Sequence, residues 1–152
     1  MPSLDRDGDV YVLDLGDTEN RFNPDWVGAV GGLLDQVAAE PAPLVTVGTG
    51  KFWSNGLDLE WLQAHRDEVG IFIRDVHGLF AKVLALPVPT VAAIQGHCFA
   101  AGAMLAIAHD QKVMRADRGF LCFPRSTSRS PSPRRWPRSC RRACPRRPPT
   151  RR

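Results

Sequence analysis

Long apolar runs are missing from this 152-residue sequence: the longest, Cys98 to Ala108, has 11 residues, where a bilayer-spanning helix needs about 20. A membrane protein is therefore not expected. The opening Met1-Pro-Ser-Leu-Asp-Arg-Asp-Gly-Asp9 is acidic and has no apolar segment, so a secretory leader is not expected either. Phosphate-cradling glycine motifs are also absent. Neither GxGxxG nor GxxxxGK[ST] occurs, and Gly28, Gly31 and Gly32 fall inside an amphipathic stretch rather than a strand-to-helix turn. Cysteines are few: Cys98 and Cys122 lie in apolar surroundings that fit buried, reduced thiols, and Cys140 and Cys144 lack a second ligand pair. His65, His77, His97 and His109 show no ligand spacing, so no metal is expected. Together these features predict a cytoplasmic protein.

One segment lacks acidic residues altogether. Arg125 to Arg152 holds 11 arginines, 6 prolines and 5 serines in 28 residues, with no Asp or Glu. The formal net charge of +4 therefore averages a basic tail with an acidic body. The tail shows no periodicity and almost no aliphatic residues, a composition that predicts disorder.

The body, residues 1–124, has enough apolar material for a core, the whole chain being 43% hydrophobic. Val10 to Leu15, Leu44 to Val47 and Thr90 to Ile94 read as strands, followed more weakly by Lys112 to Ala116 and Gly119 to Phe123. Asn23-Pro24-Asp25 reads as a helix start. Asn can cap free amides, Pro suits the first helical position and Asp favours the positive dipole end. Val27, Val30, Leu34 and Val37 then share one face until Glu40-Pro-Ala-Pro43. Phe72, Val76, Leu79, Phe80 and Val83 mark a longer helix that Pro87 and Pro89 stop, and Ala101 to Ala108 reads as a helix of small residues. Strands alternating with helices predict an α/β fold with parallel pairing.

Two segments point to chemistry. Gly50-Lys-Phe-Trp-Ser-Asn-Gly-Leu-Asp-Leu59 and Ile94-Gln-Gly-His-Cys-Phe-Ala-Ala-Gly-Ala-Met-Leu-Ala-Ile-Ala-His-Asp110 each set a strand end against a small-residue turn that opens a helix. Such turns leave backbone N–H groups free. Two of them face to face make an oxyanion hole. Either turn alone is better explained by Gly56 or Gly102 merely permitting a tight bend.

With their spacing and flanks, these segments resemble the crotonase superfamily, also called the enoyl-CoA hydratase/isomerase family. The likeness runs from about Val10 to Pro124, with Glu19-Asn-Arg-Phe-Asn23 similar to the family's early substrate-side loop. It implies the N-terminal part of a ββα spiral and an acyl-CoA thioester as substrate, coenzyme A being part of that substrate and no separate cofactor being needed. Carried over by position, the N–H groups of Leu57 and Ala101 become the oxyanion donors. Arg21, Phe22, Ser54, Asn55, Gly56, Asp58 and Gly102 become substrate-side residues. The resemblance further implies a homotrimer for the intact fold and a role in fatty-acid β-oxidation.

Hydratases of the family place one glutamate where this chain has Met104, and another just after the next strand. Met104 and the phrase Phe52-Trp-Ser-Asn-Gly-Leu-Asp-Leu59 resemble the Δ3,Δ2-enoyl-CoA isomerase branch, which needs one base. The remaining glutamate is expected after Phe123-Pro124, where Arg125 stands. Asp58 and Glu60, near the first turn, are the acids left to substitute for it, the less favoured reading because the Asp of this turn looks structural in the family. The tail is read as a frameshift product: Arg-Ser-Thr-Ser-Arg-Ser-Pro-Ser-Pro can be back-translated so that one G restored after the Pro124 codon gives PEVDIPLPFSP, with glutamate directly after the proline. The expectation is an isomerase-type enzyme with impaired activity. Its alternatives are an acyl-CoA-binding remnant without turnover, or nucleic-acid binding through the Arg-rich tail, the less favoured partner.

Overall fold

The computed structural model describes residues 1–123; the expectations for residues 124–152, disorder and frameshift included, lie outside the described residues. The N-terminal strands β1 (Ser3–Asp7) and β2 (Val10–Asp14) form an antiparallel hairpin that turns at Gly8, φ +58°. From β2 onward a unit of strand, short strand and helix repeats. The first comprises β2, β3 (Arg21–Phe22) and α1 (Pro24–Ala39). The second comprises β4 (Leu44–Val47), β5 (Phe52–Ser54), β6 (Gly56–Leu57), α2 (Leu59–Ala64) and α3 (Val69–Ala85). The third comprises β7 (Thr90–Ile94), β8 (His97–Phe99) and α4 (Ala101–Ala108), and β9 (Gln111–Met114) with β10 (Leu121–Cys122) begins a fourth.

The first strands of the units build one sheet in the order β1-β2-β4-β7-β9, with β2 to β9 all parallel. The second strands build a separate parallel sheet, β10-β8-β5, while β3 pairs with β6. From the second unit onward each unit therefore advances both sheets by one strand, which is the ββα spiral.

Register explains the core. Tyr11, Leu44 and Thr90 stand in one row and Leu13, Thr46 and Ala92 in the next, and all six are buried while residues between them are partly covered. Strand alternation sends these rows to one face. That face meets Val27, Val30, Leu34 and Val37 of α1 and Phe72, Val76, Leu79 and Val83 of α3 in a single apolar cluster. Asn23 caps α1 as expected, its side chain accepting from the Trp26 N–H at 2.9 Å.

Differences from expectation have local causes. β1 was not anticipated because its Asp/Arg-rich sequence is almost wholly exposed and carries no apolar alternation. The last two strands are shorter than their β-rich stretches, at Gln111–Met114 and Leu121–Cys122. Cys98 is buried, but Cys122 is only half-buried. Among the described residues β9 and β10 lie at sheet edges, where Val113, Phe120, Leu121 and Phe123 are exposed. No helix among the described residues is long and apolar enough to cross a membrane.

Candidate active site

The first turn begins where β5 ends. Gly56 has φ +81°, a conformation that favours glycine. The Asp58 N–H donates to Phe22 O at 2.9 Å in the β3–β6 ladder. Strand alternation therefore turns the neighbouring Leu57 N–H away from β3. Asp58 then caps α2, its carboxylate accepting from the Glu60 and Trp61 N–H groups at 3.1 and 3.2 Å. Its side chain is thus committed to structure.

The second turn begins where β8 ends. Ala100 has φ +51° and ψ −118°, sparsely populated angles for a residue with a Cβ. Its N–H donates to Cys122 O at 3.0 Å, and its O accepts from the Met104 N–H at 3.1 Å. Ala101 is the first residue of α4, so its amide is one of the four with no acceptor within the helix, and no side chain caps this end.

The two turns are in direct contact. A Cβ built on Gly56 would lie 3.0 Å from Ala100 Cβ and Phe99 O and 3.2 Å from Ala101 N. One built on Gly102 would lie 2.6 Å from Ser54 Cβ and Oγ and 2.9 Å from Ser54 O. Both glycines are therefore required by the close approach of the turns.

The remaining candidate residues are distributed unevenly. Phe22 is fully buried and stacks on Trp26 with ring centroids 4.5 Å apart, so it belongs to the core beneath the site. Ser54 is likewise fully buried and directed inward. Arg21 donates from Nε to Glu19 Oε2 at 2.5 Å, and Asn55 Nδ2 donates to the same oxygen at 2.9 Å. These two bonds, from Asn55 first and Arg21 second, hold the Glu19 carboxyl below its ordinary range. Glu19 is therefore a poor proton acceptor at neutral pH. It borders an open cleft with Arg21, Trp26, Asp58 and Glu60. A second cleft is bordered by Lys51, His97 and Arg118, and Leu57 and Ala101 line neither. Met104 is half exposed on α4.

Sequence reasoning passed over Asn20. It is 2% exposed at φ +48°, and its Nδ2 donates to Gly16 O and Trp53 O, both at 3.1 Å. A signal existed: Asn is among the few residues that tolerate left-handed φ while bonding backbone.

A ββα spiral whose strand ends bring two small-residue turns together is the architecture of a crotonase fold. The chain belongs to the enoyl-CoA hydratase/isomerase family, whose sequence model matches residues 12–121. It is 40% identical over 131 residues to enoyl-CoA delta isomerase 2, peroxisomal, of Arabidopsis thaliana, covering 80% of this chain and 55% of that protein. Enoyl-CoA delta isomerase 3 of the same plant is 40% identical over 129 residues, covering 80% and 54%. The likeness to these proteins lies with the isomerase branch of the superfamily. Among solved structures, an enoyl-CoA isomerase of Mycobacterium tuberculosis superposes with a TM-score of 0.71 at 27% identity, covering 77% of this chain and 52% of that one. An enoyl-CoA hydratase of Bacillus anthracis shares the fold, with a TM-score of 0.70 at 22% identity over 74% of this chain and 46% of that one. The chain thus spans about half the length of the curated relatives it matches.

Proposed function

We propose that the chain binds an acyl-CoA thioester and polarises its carbonyl oxygen with the N–H groups of Leu57 and Ala101, as a Δ3,Δ2-enoyl-CoA isomerase does. The observation that carries this reading is the contact of Gly56 with Ala100 and Ala101, which brings together the turns bearing both amides. Removing a proton from C2 of a 3-enoyl thioester leaves a dienolate whose charge gathers on that oxygen. Returning a proton at C4 then gives the 2-enoyl isomer. Two fixed donors lower the energy of the charged state, and losing one costs about 10²- to 10³-fold in rate.

Both proton movements occur on one face and need a single base. Met104 cannot supply it, Glu19 and Asp58 are engaged in structural hydrogen bonds, Glu60 is exposed beside a cleft that neither Leu57 nor Ala101 lines, and Arg125 stands where the resemblance puts a glutamate. We therefore expect binding to be retained and turnover to be at least about 10²-fold below that of an intact homologue, the lower end of a general base's contribution. Assaying 3-enoyl-CoA isomerisation by this chain and by one carrying the restored frame after Pro124 tests it. Equal full activity from both refutes the missing-base argument. Absence of saturable heat with a non-reactive acyl-CoA in calorimetry refutes binding.

Assembly and location belong to the same reading. The homotrimer that the resemblance implies for the intact fold is not carried over to this chain, whose assembly sedimentation measures. We place the chain in the cytoplasm on composition. The word peroxisomal in relatives' names describes those proteins, and imaging of a tagged chain decides between the two.

A further inference from the structure

The Ser54 hydroxyl is fully buried, so it meets no substrate, yet its hydrogen-bonding capacity is used in two directions. It donates to Asn20 O at 2.8 Å and accepts from the Gly56 N–H at 3.1 Å. The start of α4 closes over it at Gly102, whose Cα leaves no room for a methyl group beside Ser54 Cβ and Oγ. Ser54 therefore touches the loop before β3, the turn that carries Leu57 and the helix start that carries Ala101.

The consequence follows from backbone geometry. Capturing the Gly56 N–H fixes one peptide plane. The next plane, which holds the Leu57 N–H, is then set by the Gly56 dihedrals at φ +81°. We propose that Ser54 is a positioning residue that aims the Leu57 amide relative to the Ala101 amide, so that its hydroxyl controls recognition of the thioester oxygen without touching it. This rests on the oxyanion-hole reading under Proposed function. Serine suits the position, which needs a donor and an acceptor in minimal volume. Alanine offers neither, and cysteine offers weak versions of both.

The test compares two ligands in calorimetry with the full 152-residue chain. One is hexanoyl-CoA and the other S-hexyl-CoA, the thioether that lacks the carbonyl oxygen. The unaltered chain is expected to prefer the thioester by about 10-fold, the scale of two ordinary hydrogen bonds. Ser54→Ala is expected to lose most of that preference while its thioether affinity stays within about 2-fold, a split that general loosening of the fold does not produce. Ser54→Cys is expected to fall between the two, and it carries the comparison should Ser54→Ala fail to fold. A full thioester preference surviving in either folded variant overturns the role of Ser54 alone. No preference in the unaltered chain overturns the oxyanion-hole reading and this inference with it.

Discussion

Replacing Gly56 with alanine tests how tightly the two turns pack. The backbone there has φ +81°, and holding an L-residue in left-handed space costs about 1–2 kcal/mol. The new methyl would also stand 3.0 Å from Phe99 O and Ala100 Cβ and 3.2 Å from Ala101 N, atoms of a neighbouring turn rather than a flexible side-chain end. Overpacking of this kind costs about 1–3 kcal/mol, so the combined loss is about 2–5 kcal/mol. Urea unfolding followed by tryptophan fluorescence measures it, since Trp53 is fully buried. With a slope of about 1–3 kcal/mol per molar, the midpoint falls by roughly 1 M or more at unchanged slope. Gly28→Ala is the internal control. Gly28 lies exposed in α1 with nothing within 4 Å of its would-be Cβ, so that change stabilises by up to about 1 kcal/mol. A loss below about 1 kcal/mol for Gly56→Ala refutes the packed contact between the turns.

Three further outcomes follow from neighbouring features. Ala100→Gly relieves the φ +51° strain and stabilises by about 1 kcal/mol net of the glycine's entropy cost, read by the same urea titration. Burial pushes His109 below its ordinary value, so the unfolded chain binds a proton that the folded chain refuses. Stability therefore falls as pH drops below about 6.5, and His109→Gln flattens that slope in urea midpoints measured from pH 7.5 to 5. Burial also pushes the Cys98 thiol up to about 12, so Cys98 stays unmodified by N-ethylmaleimide at pH 7.5 until urea unfolds the chain, as peptide mass spectrometry reports.

Much of the fold was legible because its signals are local. Asn23-Pro24-Asp25 specified the start of α1 by capping chemistry, Pro87 and Pro89 bounded α3, and the β-branched strands announced themselves by composition. Most of the small sheet was hidden. β5 and β8 are three residues long, too short for a period, and depend on partners brought by the spiral, whereas β10 falls within the stretch Gly119 to Phe123 that read as a strand. At the site, the turns were readable as glycine-bearing strand ends. The roles of particular side chains were not, because burial decides them: Phe22 and Ser54 face inward, and Asn20 ties Gly16 to Trp53. His109 illustrates the same limit. Its bond to Leu105 O, a pure acceptor, puts the proton on Nδ1, leaving Nε2 to accept from Thr46 Oγ1, a partner 63 residues away.

The central claim is that the amides of Leu57 and Ala101 grip one carbonyl oxygen. Infrared difference spectroscopy of an acyl-CoA labelled with ¹³C at the thioester carbonyl, mixed with the full chain, tests it directly. A band displaced to lower frequency on binding, with the displacement lost in Gly56→Ala, is the result expected. A bound ligand whose carbonyl band stays at its position in water contradicts the account.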